Sequence, residues 1–214
     1  MIRGTRVIFG KEVVKYNRMI SKLRCCIQEC GYEEIIIPSL WEQQTFINKA
    51  GPGIMNQMYT FEDKKGRPVC LIPEVTAIIQ EIWNGGLRKS VKKPFRVFYV
   101  NRCYRYEKPQ KGRYREFGQL GVELLGGKAP EDKEEILHIL DKCLDKVGSF
   151  NYNISLSVKR GLDYYVEDGF EVECPDLGAQ KQVAGGGRYN EGIGFALGID
   201  RLLLAVDDYN AKQI

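Results

Sequence analysis

Two β-rich stretches set back to back near the middle of the chain constrain its fold more than any other feature. Phe95–Val100 and Cys103–Glu107 have the aromatic and β-branched texture of strands, Lys108–Arg113 is a polar loop, and Tyr114–Leu125 returns as a strand. A loop that short joins antiparallel neighbours, because a parallel return needs a crossover of a dozen or more residues. Further strands are expected at Glu34–Pro38, at Tyr59–Phe61 and Val69–Leu71 around the turn Asp63–Gly66, and at Tyr152–Val158, the last half-buried. Tyr164–Cys174 reads as a hairpin around Asp168-Gly169. Amphipathic helices are expected over Lys11–Cys30, with Val14, Ile20, Leu23 and Ile27 on one face, from Pro73 to Trp83 with Gly85-Gly86 as the stop, over Pro130–Lys146, and from Gly198 onward. The expected fold class is α+β: one domain over residues 1–214, a mostly antiparallel sheet carrying helices on one face. Ile35-Ile36-Ile37 closed by Pro38 belongs at a sheet edge or an interface, since proline cannot donate to a central ladder.

A hydrophobic fraction of 43% supplies one sizeable core and excludes disorder across the chain. Lys+Arg 32 against Asp+Glu 28 is a mild excess that does not by itself argue for a nucleic-acid partner. Seven cysteines without Cys-x-x-Cys spacing offer no zinc or redox site and fit a reducing cytoplasm. The amino terminus lacks the apolar core of a signal peptide, and no apolar run approaches a membrane span, so a cytoplasmic protein without a membrane partner is expected. The single histidine, His138, falls on a helix flank, which leaves any chemistry to Arg, Glu, Tyr and Gln.

Cations are densest in Arg102, Arg105, Lys108, Lys111, Arg113 and Arg115, interleaved with Tyr104, Tyr106, Tyr114 and Phe117. A bare basic run is ordinarily a solvated hairpin tip. Here alternation puts Arg105 with Glu107, and Phe117 with Gln119 and Glu123, on shared faces, so cations, acceptors and an aromatic plate gather as a nucleotide and a polar small molecule require. Two more clusters follow: Arg160-Gly161-Leu162-Asp163-Tyr164-Tyr165, and Ala184-Gly185-Gly186-Gly187-Arg188-Tyr189, whose three glycines suit a tight turn and match neither a Walker nor a Rossmann fingerprint. Arg201, just inside a helix where acids are favoured, is expected to face a ligand or a carboxylate rather than to help the helix.

In this order the clusters resemble the class II aminoacyl-tRNA synthetase catalytic core, specifically histidyl-tRNA synthetase. Ile2-Arg3-Gly4 resembles the family's opening, Gly31 to Pro38 its dimer-forming first motif, and Met58–Asp63 with Pro73–Thr76 its amino-acid-binding segment. Tyr104–Glu123 resembles the second motif, Arg160–Tyr165 and Ala184–Tyr189 the histidine signatures, and Gly194–Arg201 the third motif. The resemblance implies the class II catalytic fold and ATP-dependent activation of histidine to histidyl-adenylate, most simply as a histidine-tRNA ligase. By position it implies that Arg105 holds the α-phosphate, that Arg113 and Glu107 contact ATP, and that Phe117 and Arg201 sandwich adenine. Glu74 and Thr76 would take the α-amino group, Gln119 and Arg160 the carboxylate and α-phosphate, and Glu123 and Tyr164 the imidazole, with Tyr165 lining the pocket; Arg105, Arg160 and Gln119 are the implied catalytic set. No residues are assigned to a resident metal. Mg²⁺ is expected with ATP, Glu107 being one candidate contact.

The departures carry expectations of their own. Only Leu202 to Ile214 follow Arg201, so no anticodon-binding domain is expected, and the stretch between Glu123 and Arg160 holds one helix and a strand rather than an insertion domain. Asp200 stands where the family often has Glu. Expected partners are histidine, ATP, the acceptor end of tRNA and a second copy pairing through Ile35–Pro38 and the preceding helix, with Trp41 nearby. Rival readings are histidine activation for a non-tRNA acceptor and a non-catalytic histidine sensor resembling the ATP phosphoribosyltransferase regulatory subunit.

Overall fold

A computed structural model describes residues 1–213. Lys11–Glu29 is helix α1, which buries Tyr16, Met19, Ile20, Leu23, Cys26 and Ile27 along one stripe. Each fully buried large side chain there contributes roughly 1.5–3 kcal/mol, so packing rather than propensity holds the helix. Val14, expected on that stripe, lies on the exposed side. The chain continues as β1 (Glu33–Glu34), β2 (Leu40–Glu42), α2 (Gln43–Ala50), a 3₁₀ turn over Pro52–Gln57, β3 (Tyr59–Glu62), β4 (Pro68–Leu71) and α3 (Thr76–Ile82). A π-helical turn, Trp83–Leu87, runs into the short α4 (Arg88–Ser90), so Gly85-Gly86 kinks the helix where a stop was expected. Then come β5 (Phe95–Tyr104), β6 (Glu116–Leu125), α5 (Glu131–Val147), β7 (Asn153–Val158), β8 (Gly169–Glu173), β9 (Gln182–Tyr189), β10 (Gly192–Gly198) and α6 (Ile199–Ala211).

Seven strands form the main sheet in the order β1-β5-β6-β10-β9-β8-β7, antiparallel except for β1 against β5. The β5–β6 pairing expected from the sequence runs the full length of both strands, from Phe95 opposite Leu125 to Tyr104 opposite Glu116. Alternation then sorts β6. Leu120, Val122 and Leu124 join the core beneath α1, α5 and α6, while Phe117, Gln119 and Glu123 face the other way. On that other face a small antiparallel sheet, β2-β4-β3, packs with α2 and α3 over Val97, Tyr99 and Cys103. Helices therefore lie on both faces, not one, and the second layer covers only part of the sheet.

Other expectations are revised by tertiary contacts. At the edge position foreseen for Glu34–Pro38 only Glu33–Glu34 pair as a strand; Ile35 still donates to the carbonyl of Phe98, but the Asn101 side chain takes the Ile37 carbonyl and ends the ladder. β8 pairs with β7 and β9 rather than folding back on Tyr164, so the Tyr164–Cys174 hairpin does not form. β7 is exposed almost throughout because it is the sheet's far edge. Gly185-Gly186-Gly187 lies inside β9 and not in a turn: a Cβ on Gly186 would sit 2.1 Å from the Gly194 carbonyl oxygen of β10.

Candidate active site

A cavity of about 490 Å³ opens on the sheet face that the small sheet leaves uncovered. Glu74, Thr76, Arg105, Glu107, Arg113, Phe117, Gln119, Glu123, Arg160, Tyr164, Tyr165 and Arg201 all line it, so every candidate from the sequence is brought together. β6 supplies Phe117, Gln119 and Glu123 from one face, the start of α3 supplies Glu74 and Thr76, and the segment after β7 supplies Arg160, Tyr164 and Tyr165.

One part of the cavity is built on buried carboxylates. Glu123, 1% exposed, accepts hydrogen bonds from the Thr76 hydroxyl at 2.7 Å and the Tyr189 hydroxyl at 2.8 Å. Burial pushes its carboxyl up to about 8, against the pull of those two hydroxyls. Glu74, 3% exposed, accepts the Ala77 N–H at 3.0 Å and a long bond from Tyr164 at 3.4 Å; burial raises it too, opposed by the Ala77 amide and by Arg105. The side chain of Thr76 is thus turned to Glu123, and that of Tyr164 to Glu74. Gly194 makes room for Glu123: a Cβ there would fall on its carboxylate.

Elsewhere cations crowd one another. Arg201 donates to the carbonyls of Gly112 and Gln182, both at 2.8 Å, and its pKa is lowered by burial and then by Arg105 and Arg113 nearby. Arg105 donates to the Pro73 carbonyl at 2.9 Å and lies 5.4 Å over the Phe117 ring. Arg113 pairs with Glu107, and Arg160 with Glu171, the latter guanidinium 5.5 Å from the Tyr165 ring. Gly185 lies against Arg160: a Cβ there would approach the Gln182 side-chain amide to 2.5 Å and the Arg160 terminal nitrogens to 2.9 Å. Of these four guanidiniums Arg113 and Arg160 each have a carboxylate partner, whereas Arg105 and Arg201 donate to backbone carbonyls and keep their charge uncompensated, which favours an anion.

Sequence reasoning missed Tyr189, Glu171 and Asp200 as parts of this site. Tyr189 would have been found had the glycine run been taken as a strand, since Gly185, Gly187 and Tyr189 then share a face by alternation. Asp200, 3% exposed, accepts the Gly118 N–H at 2.6 Å and pairs with Arg6, which also binds Glu12 at 2.6 Å and stacks on Tyr114. Its carboxylate joins the residue between Phe117 and Gln119 to the residue before Arg201, and nothing local in the sequence announces that.

An antiparallel sheet with three helices behind it and a cavity of this composition in front defines the class II aminoacyl-tRNA synthetase catalytic fold. The ligand-free histidyl-tRNA synthetase of S. aureus superposes with a TM-score of 0.82 at 26% identity, over 98% of this chain and 70% of that one. A Bacillus halodurans protein described as an ATP phosphoribosyltransferase regulatory subunit/histidyl-tRNA synthetase also gives 0.82, at 17% identity over 95% and 82% of the two chains, a likeness of fold alone. The histidyl-tRNA synthetase family profile matches residues 4–158, and the chain belongs to that family. The histidine-tRNA ligase of Methanosarcina acetivorans is 28% identical over 94% of this chain and 74% of its own length. That alignment spans 306 positions against a chain of 214, so the relative carries residues within the matched span that this chain lacks.

Proposed function

We propose that the chain activates histidine with ATP to form histidyl-adenylate, and that it works most simply as a histidine-tRNA ligase. One observation carries the reading: two buried carboxylates and a cluster of four guanidiniums share one cavity. The histidine carboxylate attacks the α-phosphorus in line, the α–β phosphoanhydride breaks, and pyrophosphate leaves with the electron pair. A carboxylate is already nucleophilic near neutrality, so the step needs positioning and cations over the charged oxygens, not a general base. Arg105 and Arg160 are assigned to the α-phosphate region with Gln119 beside them, Arg113 and Glu107 to the polyphosphate, and Phe117 and Arg201 to adenine. Glu123 with Thr76 and Tyr189 is assigned to the imidazole, Glu74 with Tyr164 to the amino group, and Tyr165 to the wall between. Mg²⁺ bound with ATP would add charge compensation on the phosphates, and since it takes most ligands from phosphate and water, Glu107 and Glu171 suit it.

The guanidinium cluster favours an enzyme over the sensor reading, because recognising histidine alone requires no polyphosphate site. The reading extends to a single catalytic domain over 1–214, an RNA partner met at its acceptor end, a homodimer through the β1 edge, and the cytoplasm, which the seven free thiols favour. No described helix is long and apolar enough to cross a membrane. ATP–pyrophosphate exchange across the twenty amino acids tests the proposal: exchange with histidine alone is expected, and no exchange at saturating substrates overturns it. Exchange without transfer to tRNA would favour a different acceptor.

A further inference from the structure

Between Glu81 and Glu107 the sequence holds no acidic residue, yet it carries Arg88, Lys89, Lys92, Lys93, Arg96, Arg102 and Arg105. In a chain whose charges nearly balance overall, that is local segregation. The fold disposes of three of these cations: Arg96 pairs with Glu135, Arg102 approaches Glu116 at 3.9 Å, and Arg105 lines the cavity. Arg88, Lys89, Lys92 and Lys93 are exposed and form no ion pair among the described residues. Lys93 lies 5.5 Å over the buried Trp83 ring, and Gly126 abuts both.

We propose that this patch is a docking surface for the phosphate backbone of duplex RNA, separate from the loop at Lys108–Arg115; the inference rests on the tRNA reading above. β5 runs from the patch at Phe95 to Tyr104 before that loop, and ten strand residues span about 30 Å. That exceeds a Debye length of roughly 8–10 Å, so the two basic surfaces act independently and only a long polyanion meets both. The loop alone is poorly supplied. Lys111 is held by Asp208, and Arg115 stacks 4.1 Å over Tyr106 and donates to the Glu107 carbonyl. The patch has no large exposed apolar side chain, the nearest in sequence being Phe61 and Tyr106, so it offers neither anchors for a membrane nor plates for stacking unpaired bases. Cations without either suit a backbone read by shape and charge.

The test replaces Arg88, Lys89, Lys92 and Lys93 together by Gln and follows binding of a short RNA hairpin duplex across about 50 to 200 mM salt. Histidine-dependent pyrophosphate exchange should match wild type, which also reports an intact fold. Affinity should fall about 10- to 100-fold at low salt, and the slope of log K against log salt should shrink by roughly 3.6, near 0.9 for each of four lost contacts. A Lys92→Gln, Lys93→Gln pair should give about half the slope change, and keeps the test readable if the fourfold variant folds poorly. Unchanged affinity and slope overturn the inference. So does equal loss for single-stranded RNA of the same length, or loss confined to phosphatidylserine vesicles. Wild-type protein that exchanges pyrophosphate but binds no RNA overturns this inference and leaves histidine activation standing; RNA binding through the patch without exchange does the reverse.

Discussion

Glu123 is touched by two hydroxyls and, among the described residues, by no cation, so burial works against its charge. A carboxyl whose folded pKa stands near 8 stays protonated in the native protein while the unfolded chain has already lost its proton above the ordinary carboxylate value. The native state then binds more protons, and stability of the empty protein should fall as pH rises from about 4.5 to 8, by at most ~1.4 kcal/mol per unit from this group. Glu123→Gln should flatten that slope, read from thermal unfolding across the interval; an unaltered slope would mean that the carboxyl ionises freely. The same variant, like Tyr164→Phe, should raise KM for histidine far more than for ATP, because a pocket built around a buried acceptor punishes a lost partner. Arg160→Ala should slow exchange by roughly 10²- to 10³-fold, the usual cost of removing one preorganised donor to a charged transition state. His138 on α5, exposed as the sequence suggested, takes no part.

At the level of elements, β9 separates two kinds of glycine. A Cβ on Gly186 meets the carbonyl of Gly194, a backbone atom that cannot swing aside, so Gly186→Ala should cost stability and yield of folded protein. A Cβ on Gly185 meets only the ends of Gln182 and Arg160, so Gly185→Ala should fold normally but displace the guanidinium and depress exchange. Equal unfolding temperatures for the two variants would contradict this division. The amino-terminal arm makes a second case. Arg6→Ala leaves the Asp200 carboxylate buried with one remaining donor, the Gly118 amide, a loss of about 1–3 kcal/mol. Because Gly118 lies between Phe117 and Gln119, KM for ATP should rise more than KM for histidine, and Arg6→Lys should recover part of it; a fall in melting temperature with no such split would confine Arg6 to stability. β5 and β6 were legible in the sequence because their pattern is local and their loop short. β8 was legible as one arm of a hairpin but its partners were not, since nothing in its own residues says which edge it will meet.

For the molecule as a whole, the proposed pairing through the β1 edge would cover Ile36, which is 90% exposed just beyond that strand. Sedimentation at micromolar concentration should show a dimer, and Ile36→Glu should give a monomer; a wild-type monomer would count against pairing there. By itself the sequence determined which residues can meet: alternation along one strand assembled Phe117, Gln119 and Glu123 on one face, residue chemistry singled out Arg105, Arg160 and Arg201, and Glu74 came in through the family resemblance. These are local properties, fixed by the pleat and by charge wherever the strands end up. Only the tertiary structure decided that a glycine run would be a strand, that helices would cover both faces, that Tyr189 would close on Glu123 across 66 positions, and that Arg6 would reach Asp200 across 194. Such contacts join segments with no signal in common, and their free energy exists only once the intervening sheet has brought the two surfaces together.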